Sequence, residues 1–335
     1  MRLLKIALTT LVISAVAAGS AQAQEKKTYR IGAAAYGLKG EFMQLWANAL
    51  KTHPLVKDGT VKVTVFDGNY DALTQNNQFD TMITQKYDGI LFVPIDIEAG
   101  AAAVEKAAAA KIPVVGSNTR VNSDQLVSYV GSDDVIAGEM EAESVIKAIG
   151  GKGSVVIFEG PIGQSAQIER RQGNLKALDK YKDVKLLEMK TANWSRAEAL
   201  SLMENWLTSH AGKINGIIGQ NDEMALGAIE AVKAKGIDPK NIPTAGVDGV
   251  SDAIQAVQAG AMVVSVLQDA AAQAQGGLDV LMRNVVGPDY KPRSDIWTKY
   301  SAQGLSWGDG TAKHYNIPWT PITKENADAM LAERK

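Results

Sequence analysis

Between Ile214 and Gly227 an apolar run stops at Gln220-Asn221-Asp222-Glu223, and an amphipathic period begins at once. Met224, Leu226, Ile229 and Val232 recur at roughly helical spacing, whereas Ile217 and Ile218 read as part of a short strand covered on both faces. Gln220 and Asn221 therefore stand at a strand's carboxyl end, where open α/β sheets bind their ligands. A neutral amide placed there can both donate to and accept from a hydroxyl.

Other chemistries fail on residue grounds. Gly151-Lys152-Gly153-Ser154 lacks the Gly-Lys-Ser/Thr triplet at phosphate-loop spacing, and Gly32-Ala33-Ala34-Ala35-Tyr36-Gly37 lacks the second glycine of a dinucleotide fingerprint. Gly163-Gln164-Ser165-Ala166-Gln167 lacks the closing glycine of a nucleophile elbow, so Ser165 reads as a helix N-terminal residue. His53, His210 and His314 are scattered without ligand spacing, and no metal site is expected from them. Glu169 beside Arg170 and Arg171 reads as a solvated or paired helix face, with Arg170 set apart for the reason given below. The pattern calls for no cofactor and no catalytic group.

These residues need a scaffold, and the chain supplies one by repetition. A short apolar run, a small or polar break and a helical pattern recur from Tyr29 onward. Strands are expected at 30–35, 61–66, 89–93, 112–116 and 127–130, then at 154–158, 184–189, 215–219, 243–247 and 262–267. Helices are expected near 42–51, 71–85, 98–110, 135–149, 164–181, 195–209, 222–235, 251–258 and 270–284. Such alternation implies parallel sheets with right-handed crossovers. Ser195-Arg196-Ala197-Glu198 has the capping-box spacing and places Trp194 just before a helix.

With 335 residues, 46% of them hydrophobic, the chain can bury two cores. The two series divide near Gly131 to Asp134 without a Pro- or Ser-rich linker, which points to lobes held by close crossings. The first lobe is expected over 28–131 plus 269–298 and the second over 132–268 plus 299–335. After Asn284 an irregular tail rich in Pro and Trp, with a helical pattern at 324–331, is expected to pack across the lobes.

The first 23 residues read as an export signal. Arg2 and Lys5 precede an apolar run from Ile6 to Ala18, and Ala21-Gln22-Ala23 sets cleavage after Ala23. That cleavage would move the formal charge from -2 to -4, a balance that gives nucleic acid no purchase. The chain has no cysteine, so neither disulfides nor a lipid-modified cysteine enter the reading, and a soluble monomer of the bacterial periplasm is expected.

At Gly219-Gln220-Asn221-Asp222-Glu223-Met224-Ala225-Leu226-Gly227, and again at Gly160-x-x-Gly163-x-Ser165-Ala166-x-x-Glu169-Arg170-x-x-Gly173, the sequence resembles the ribose-binding type of periplasmic sugar-binding protein. Val130-Gly131-Ser132-Asp133-Asp134 and Gly246-Val247-Asp248-Gly249 extend the likeness from about Tyr29 to Asn284. The resemblance implies two Rossmann-like lobes with parallel sheets joined by a three-segment hinge. It also implies a receptor that delivers a sugar or polyol to the permease of an ABC importer.

Carried over, it implies ligand contacts from Arg170, Asn221, Asp248 and Gln268 in the second lobe, with Trp194 where the family usually has phenylalanine. In the first lobe it implies Phe42, Gln78 and Asn118; Tyr36, Lys39, Glu41 and Arg120 join the candidates. Lys39 stands where a ribose receptor has asparagine, Glu41 where it has an aromatic, and Asn118 where it has aspartate followed by arginine, with Arg120 displaced by one. The ligand is thereby left open among a pentose, a short polyol, a cyclitol and a weakly acidic sugar. A sensor of a furanosyl signal molecule is the alternative function. A sugar-responsive repressor would need a DNA-binding module where this chain has its export signal, and a glycoside hydrolase would need paired acids.

Overall fold

Alternating apolar runs and amphipathic periods fold into two sheets, each flanked by helices; the computed structural model describes residues 27–332. The expected export signal lies outside the described residues. The first half runs β1 (Tyr29–Ala35), α1 (Glu41–Thr52), α2 (Pro54–Lys57), β2 (Val61–Asp67), α3 (Ala72–Thr84), β3 (Gly89–Phe92), α4 (Ile97–Ala109), β4 (Val114–Ser117) and β5 (Ser128–Gly131). The second continues α5 (Asp134–Ala148), β6 (Gly153–Glu159), α6 (Ser165–Lys180), β7 (Val184–Thr191), α7 (Arg196–Ser209), β8 (Gly216–Gly219) and α8 (Asp222–Ala234). It closes with β9 (Thr244–Asp248), α9 (Ser251–Ala259) and β10 (Val264–Leu267). The remainder is α10 (Ala270–Val286), α11 (Ile296–Lys299), β11 (His314–Asn316), β12 (Thr320–Ile322) and α12 (Ala327–Ala332).

Both sheets have the same strand order. The first is β2-β1-β3-β4-β5-β11 and the second β7-β6-β8-β9-β10-β12. Neighbours run parallel except β12, which is antiparallel to β10. In each sheet the order reverses beside the first strand, and the carboxyl ends flanking that switch are where a ligand crevice forms. The interior strands β3, β4, β8 and β9 are buried at every residue, consistent with helices on both faces. No helix among the described residues is long and apolar enough to cross a membrane.

The chain passes between lobes after β5, after β10 and after β11, giving the three-segment hinge. Here the expected boundaries need correction. Residues 299–335 were expected with the second lobe, yet β11 joins the first sheet beside β5, and the crossing falls between Asn316 and Thr320. The reason is a buried acid. Asp279 on α10 accepts hydrogen bonds from Tyr290, the Arg293 and Ser294 amides, the Ser294 hydroxyl and the Trp297 indole. His53 Nε2 lies 3.3 Å from the same carboxylate, while its Nδ1 accepts from the Leu55 amide. Burial alone raises the Asp279 carboxyl, but His53, Ser294 and Tyr290 outweigh it and hold it below its ordinary value. The tail is thus tied to the first lobe before Trp307 stacks on Tyr315 and Trp297 meets both rings edge-on.

Helix placement sets up the site. α5 and α6 touch backbone to backbone: a Cβ on Gly138 would lie 2.2 Å from the Arg170 carbonyl oxygen, and one on Gly173 2.1 Å from that of Val135. This crossing brings Arg170 on α6 against Asp134 at the start of α5. The capping box expected at Ser195 is only half formed. Ser195 accepts from the Glu198 amide at 3.3 Å, but Glu198 takes the Asn193 side-chain amide rather than returning to the cap. Gly138→Ala should force the two helices apart and lower stability by about 1–3 kcal/mol, the usual cost of overpacking; an unchanged urea midpoint would show that the crossing is loose.

Candidate functional site

The two rows of strand ends face each other across a narrow cleft. The first lobe contributes Tyr36 after β1, Phe42 in the first turn of α1, and Asn118 and Thr119 after β4. The second contributes Gln164, Ala166 and Arg170 from the start of α6, Trp194 before α7, Asn221 after β8, Asp248 at the end of β9, and Gln268 after β10. All of these side chains are buried.

Arg170 is the fixed point. Its Nε donates to Asp134 at 2.8 Å, one terminal nitrogen to the Gln220 carbonyl at 2.5 Å, and the other to Gln268 Oε1 at 3.3 Å. Its carbon lies 5.6 Å from the Trp194 ring centre and 5.8 Å from that of Trp319. Three of five N–H groups are thereby spent on protein, and two remain for a ligand. Burial raises the Asp134 carboxyl while Arg170 pulls it back; for Arg170 the cost of burial is outweighed by Asp134 and Asp248, so the guanidinium stays charged.

Around that fixed point stand groups with unused capacity. The Gln268 side-chain NH₂ is buried without a partner among the described residues, its oxygen being taken by Arg170. Asn221 uses its side-chain oxygen to cap α8 at the Met224 amide, 2.9 Å away. The Asp248 carboxylate accepts no hydrogen bond from the described residues; burial pushes it well up, with Arg170 opposing and Asp222 reinforcing. A carboxylate that takes two donors, amide NH₂ groups that give them, and the rings of Tyr36, Phe42 and Trp194 together match a molecule dense in hydroxyls with some apolar surface.

The other anticipated residues lie elsewhere. Gln78 stays on α3 and donates to the Asp67 carbonyl at 2.6 Å. Lys39 lines an outer cleft with its ammonium 5.9 Å from the Tyr70 ring centre. Glu41 reaches across the lobes to the Ser251 amide and hydroxyl at 3.0 and 2.7 Å. Arg120 lies over the Tyr129 ring and pairs with Glu169 at 3.2 Å. For the three charged residues the physical reason is shared: a charged side chain at a lobe rim finds a partner on the facing lobe or a neighbouring ring before it can reach a crevice already filled by shorter groups, whereas Gln78 is taken by a carbonyl of its own lobe. Gln220 also turns inward, its side chain serving the Gly160 amide and the Gln167 carbonyl.

Thr119, Gln164 and Ala166, and Trp319 behind Arg170, were not anticipated. Gln164 had a signal in the Gly163-Gln164-Ser165 start of α6; Trp319 had none, because the tail offers no periodicity. Backbone amides also join the lobes here, Ile97 donating to the Gly163 carbonyl at 3.1 Å and Arg120 to the Ser165 side-chain hydroxyl at 2.7 Å.

Glu169 at this junction is pushed up from 4.5 to about 7, first by burial and then by Asp134, against Arg120. A carboxyl that holds its proton longer in the folded chain contributes stability that is complete below about 4.5 and lost as pH rises through about 7. Glu169→Gln should therefore flatten the part of the melting-temperature profile that falls between those limits; an unchanged slope would contradict the assignment. Arg170→Ala, which strands Asp134, should cost roughly 3–5 kcal/mol by chemical denaturation, and a loss below 1 kcal/mol would remove Arg170 from its central place.

Known proteins resemble this chain in sequence and fold. A family model described as a periplasmic binding protein domain matches residues 31–289. A xylitol-binding protein of Mycolicibacterium smegmatis is 34% identical over 279 residues, covering 83% of this chain and 78% of that protein. A ribose import binding protein of Bacillus subtilis is 31% identical over 233 residues, covering 70% of this chain and 74% of its own length. A solved ABC transporter solute binding protein from Bacillus halodurans with bound myo-inositol superposes at a TM-score of 0.81 and 27% identity, covering 92% of this chain and 99% of that one.

Proposed function

This chain belongs to the periplasmic binding protein family, and we propose that it is the receptor of an ATP-driven importer for a small polyol, cyclitol or monosaccharide. It holds its ligand without altering it. The observation that carries the reading is the juxtaposition in one cleft of the Asp248 carboxyl, which accepts no hydrogen bond from the described residues, and the buried Gln268 NH₂, which finds no acceptor among them. Each such group left unpaired costs about 1–3 kcal/mol, and adjacent hydroxyls of one molecule relieve both.

The contact set proposed is Tyr36, Phe42, Asn118, Arg170, Trp194, Asn221, Asp248 and Gln268. Neutral groups from the first lobe and a single engaged arginine favour an uncharged ligand over an acidic sugar. Named ligands of relatives include xylitol, ribose and myo-inositol, all of which are hydroxyl-rich and small. The protein acts as a monomer in the periplasm after cleavage behind Ala23, and the closed liganded form engages the permease. A signal-receptor role gains nothing from these relatives.

Titration calorimetry against xylitol, ribitol, ribose and myo-inositol tests this directly. At least one should bind at micromolar strength, and at a hundred times its dissociation constant it should stabilise the fold by about 2.7 kcal/mol. Asp248→Ala should weaken that binding at least tenfold. No heat and no thermal shift with any polyol would end the proposal.

A further inference from the structure

We propose that Gln164 is a positioning residue that fastens the Trp194 ring and ties it to lobe closure. The inference rests on the receptor reading, since Trp194 is taken as one face of the ligand cavity. Gln164 is 1% exposed and stands as N-cap of α6, yet its side chain makes no capping hydrogen bond to that helix. It is used elsewhere at both ends. Its oxygen accepts from the Trp194 indole at 2.6 Å within the second lobe, and its NH₂ donates to the Pro94 carbonyl at 3.1 Å in the first. An indole N–H only donates and a carbonyl only accepts, so the amide can be oriented in one way alone.

Trp194 needs such a fastening. Asn193 and Trp194 both have left-handed backbone, φ 52° and 59°, a conformation that bulky residues seldom adopt. The ring lies directly on Gly160, where a Cβ would come within 2.0 Å of it. Gly160 provides a floor, Arg170 flanks the ring, and Gln164 holds its polar edge. Without that bond the indole N–H would be buried with no acceptor among the described residues.

The Pro94 end is equally fixed. The carbonyl also accepts from Thr119 at 2.7 Å within its own lobe, and the flanking Val93 carbonyl and Ile95 amide are both held by the buried Gln75 side chain. Pro94 is the one acceptor that the Gln164 NH₂ has among the described residues, and it arrives with the opposite lobe. When the lobes part, the amide loses its anchor and can rotate, loosening its hold on the indole. Closure therefore sets the ring, and a ligand resting on the ring favours closure.

The test compares Gln164→Met, which keeps length but removes both bonds, with Gln164→Glu, which keeps an acceptor for the indole and sets a carboxylate against the Pro94 carbonyl. The probes are xylitol and myo-inositol, and the indole resonance is assigned with Trp194→Phe. In Gln164→Met the Trp194 indole N–H resonance should move and exchange faster even without ligand, and the affinity for the bound probe should fall at least tenfold. In Gln164→Glu the indole resonance should stay near its original position while probe dissociation accelerates about tenfold. An unmoved indole resonance or an unchanged affinity in Gln164→Met would overturn the proposal, as would loss of the indole signal in Gln164→Glu. If neither probe bound the unmodified protein, the receptor reading would fall, while the ligand-free indole comparison would still decide whether Gln164 fastens Trp194.

Discussion

A guanidinium buried among carboxylates governs this molecule. Arg170 is 3% exposed, and an unpaired charge at that depth costs several kcal/mol, so every surrounding element must present it an acceptor. α5 supplies Asp134, the end of β8 supplies the Gln220 carbonyl, and the turn after β10 supplies Gln268. Those bonds tie the start of α5 and the ends of β8 and β10 to α6. They also fix what is left over, since Gln268 spends its oxygen on Arg170 and must offer its NH₂ to something else. The ligand cavity is in that sense the residue of an internal charge being satisfied.

Closure depends on far weaker terms. The lobes meet through few hydrogen bonds, from Ile97 to Gly163, Arg120 to Ser165, Gln164 to Pro94, and Ser251 to Glu41. Each is worth about 0.5–1.5 kcal/mol net of water. Shifting a two-state equilibrium almost completely takes about 5.5 kcal/mol of differential affinity. A small molecule that relieves Asp248, Gln268 and Asn221 in the second lobe while contacting Asn118 and Tyr36 in the first is of the right order to tip such a balance.

Much of this was legible before any coordinates. Short apolar runs spaced by amphipathic periods located β1 to β10 and the longer helices between them to within about three residues, because parallel strands covered on both sides leave that pattern, while α2, α11, β11 and β12 went unread. The polar break at Gln220-Asn221 marked a strand's carboxyl end correctly. Periodicity could not say which way an amide turns there: Asn221 lines the cavity while Gln220 is spent on Gly160 and Gln167. The same limit explains Lys39, Glu41, Gln78 and Arg120, whose side chains find partners outside the cleft. The tail was opaque for another reason. Its path follows from hydrogen bonds converging on Asp279 from residues 11 to 18 positions away, a relation with no periodic trace.

Small-angle scattering of the free and polyol-saturated protein examines the central claim most directly, because it reads the approach of the two lobes without assuming any single contact. The radius of gyration should fall when the bound polyol is added at saturation and return to its starting value when that polyol is dialysed away. A profile that stays the same with every polyol that binds would contradict the account of two lobes closing on a hydroxyl-rich guest.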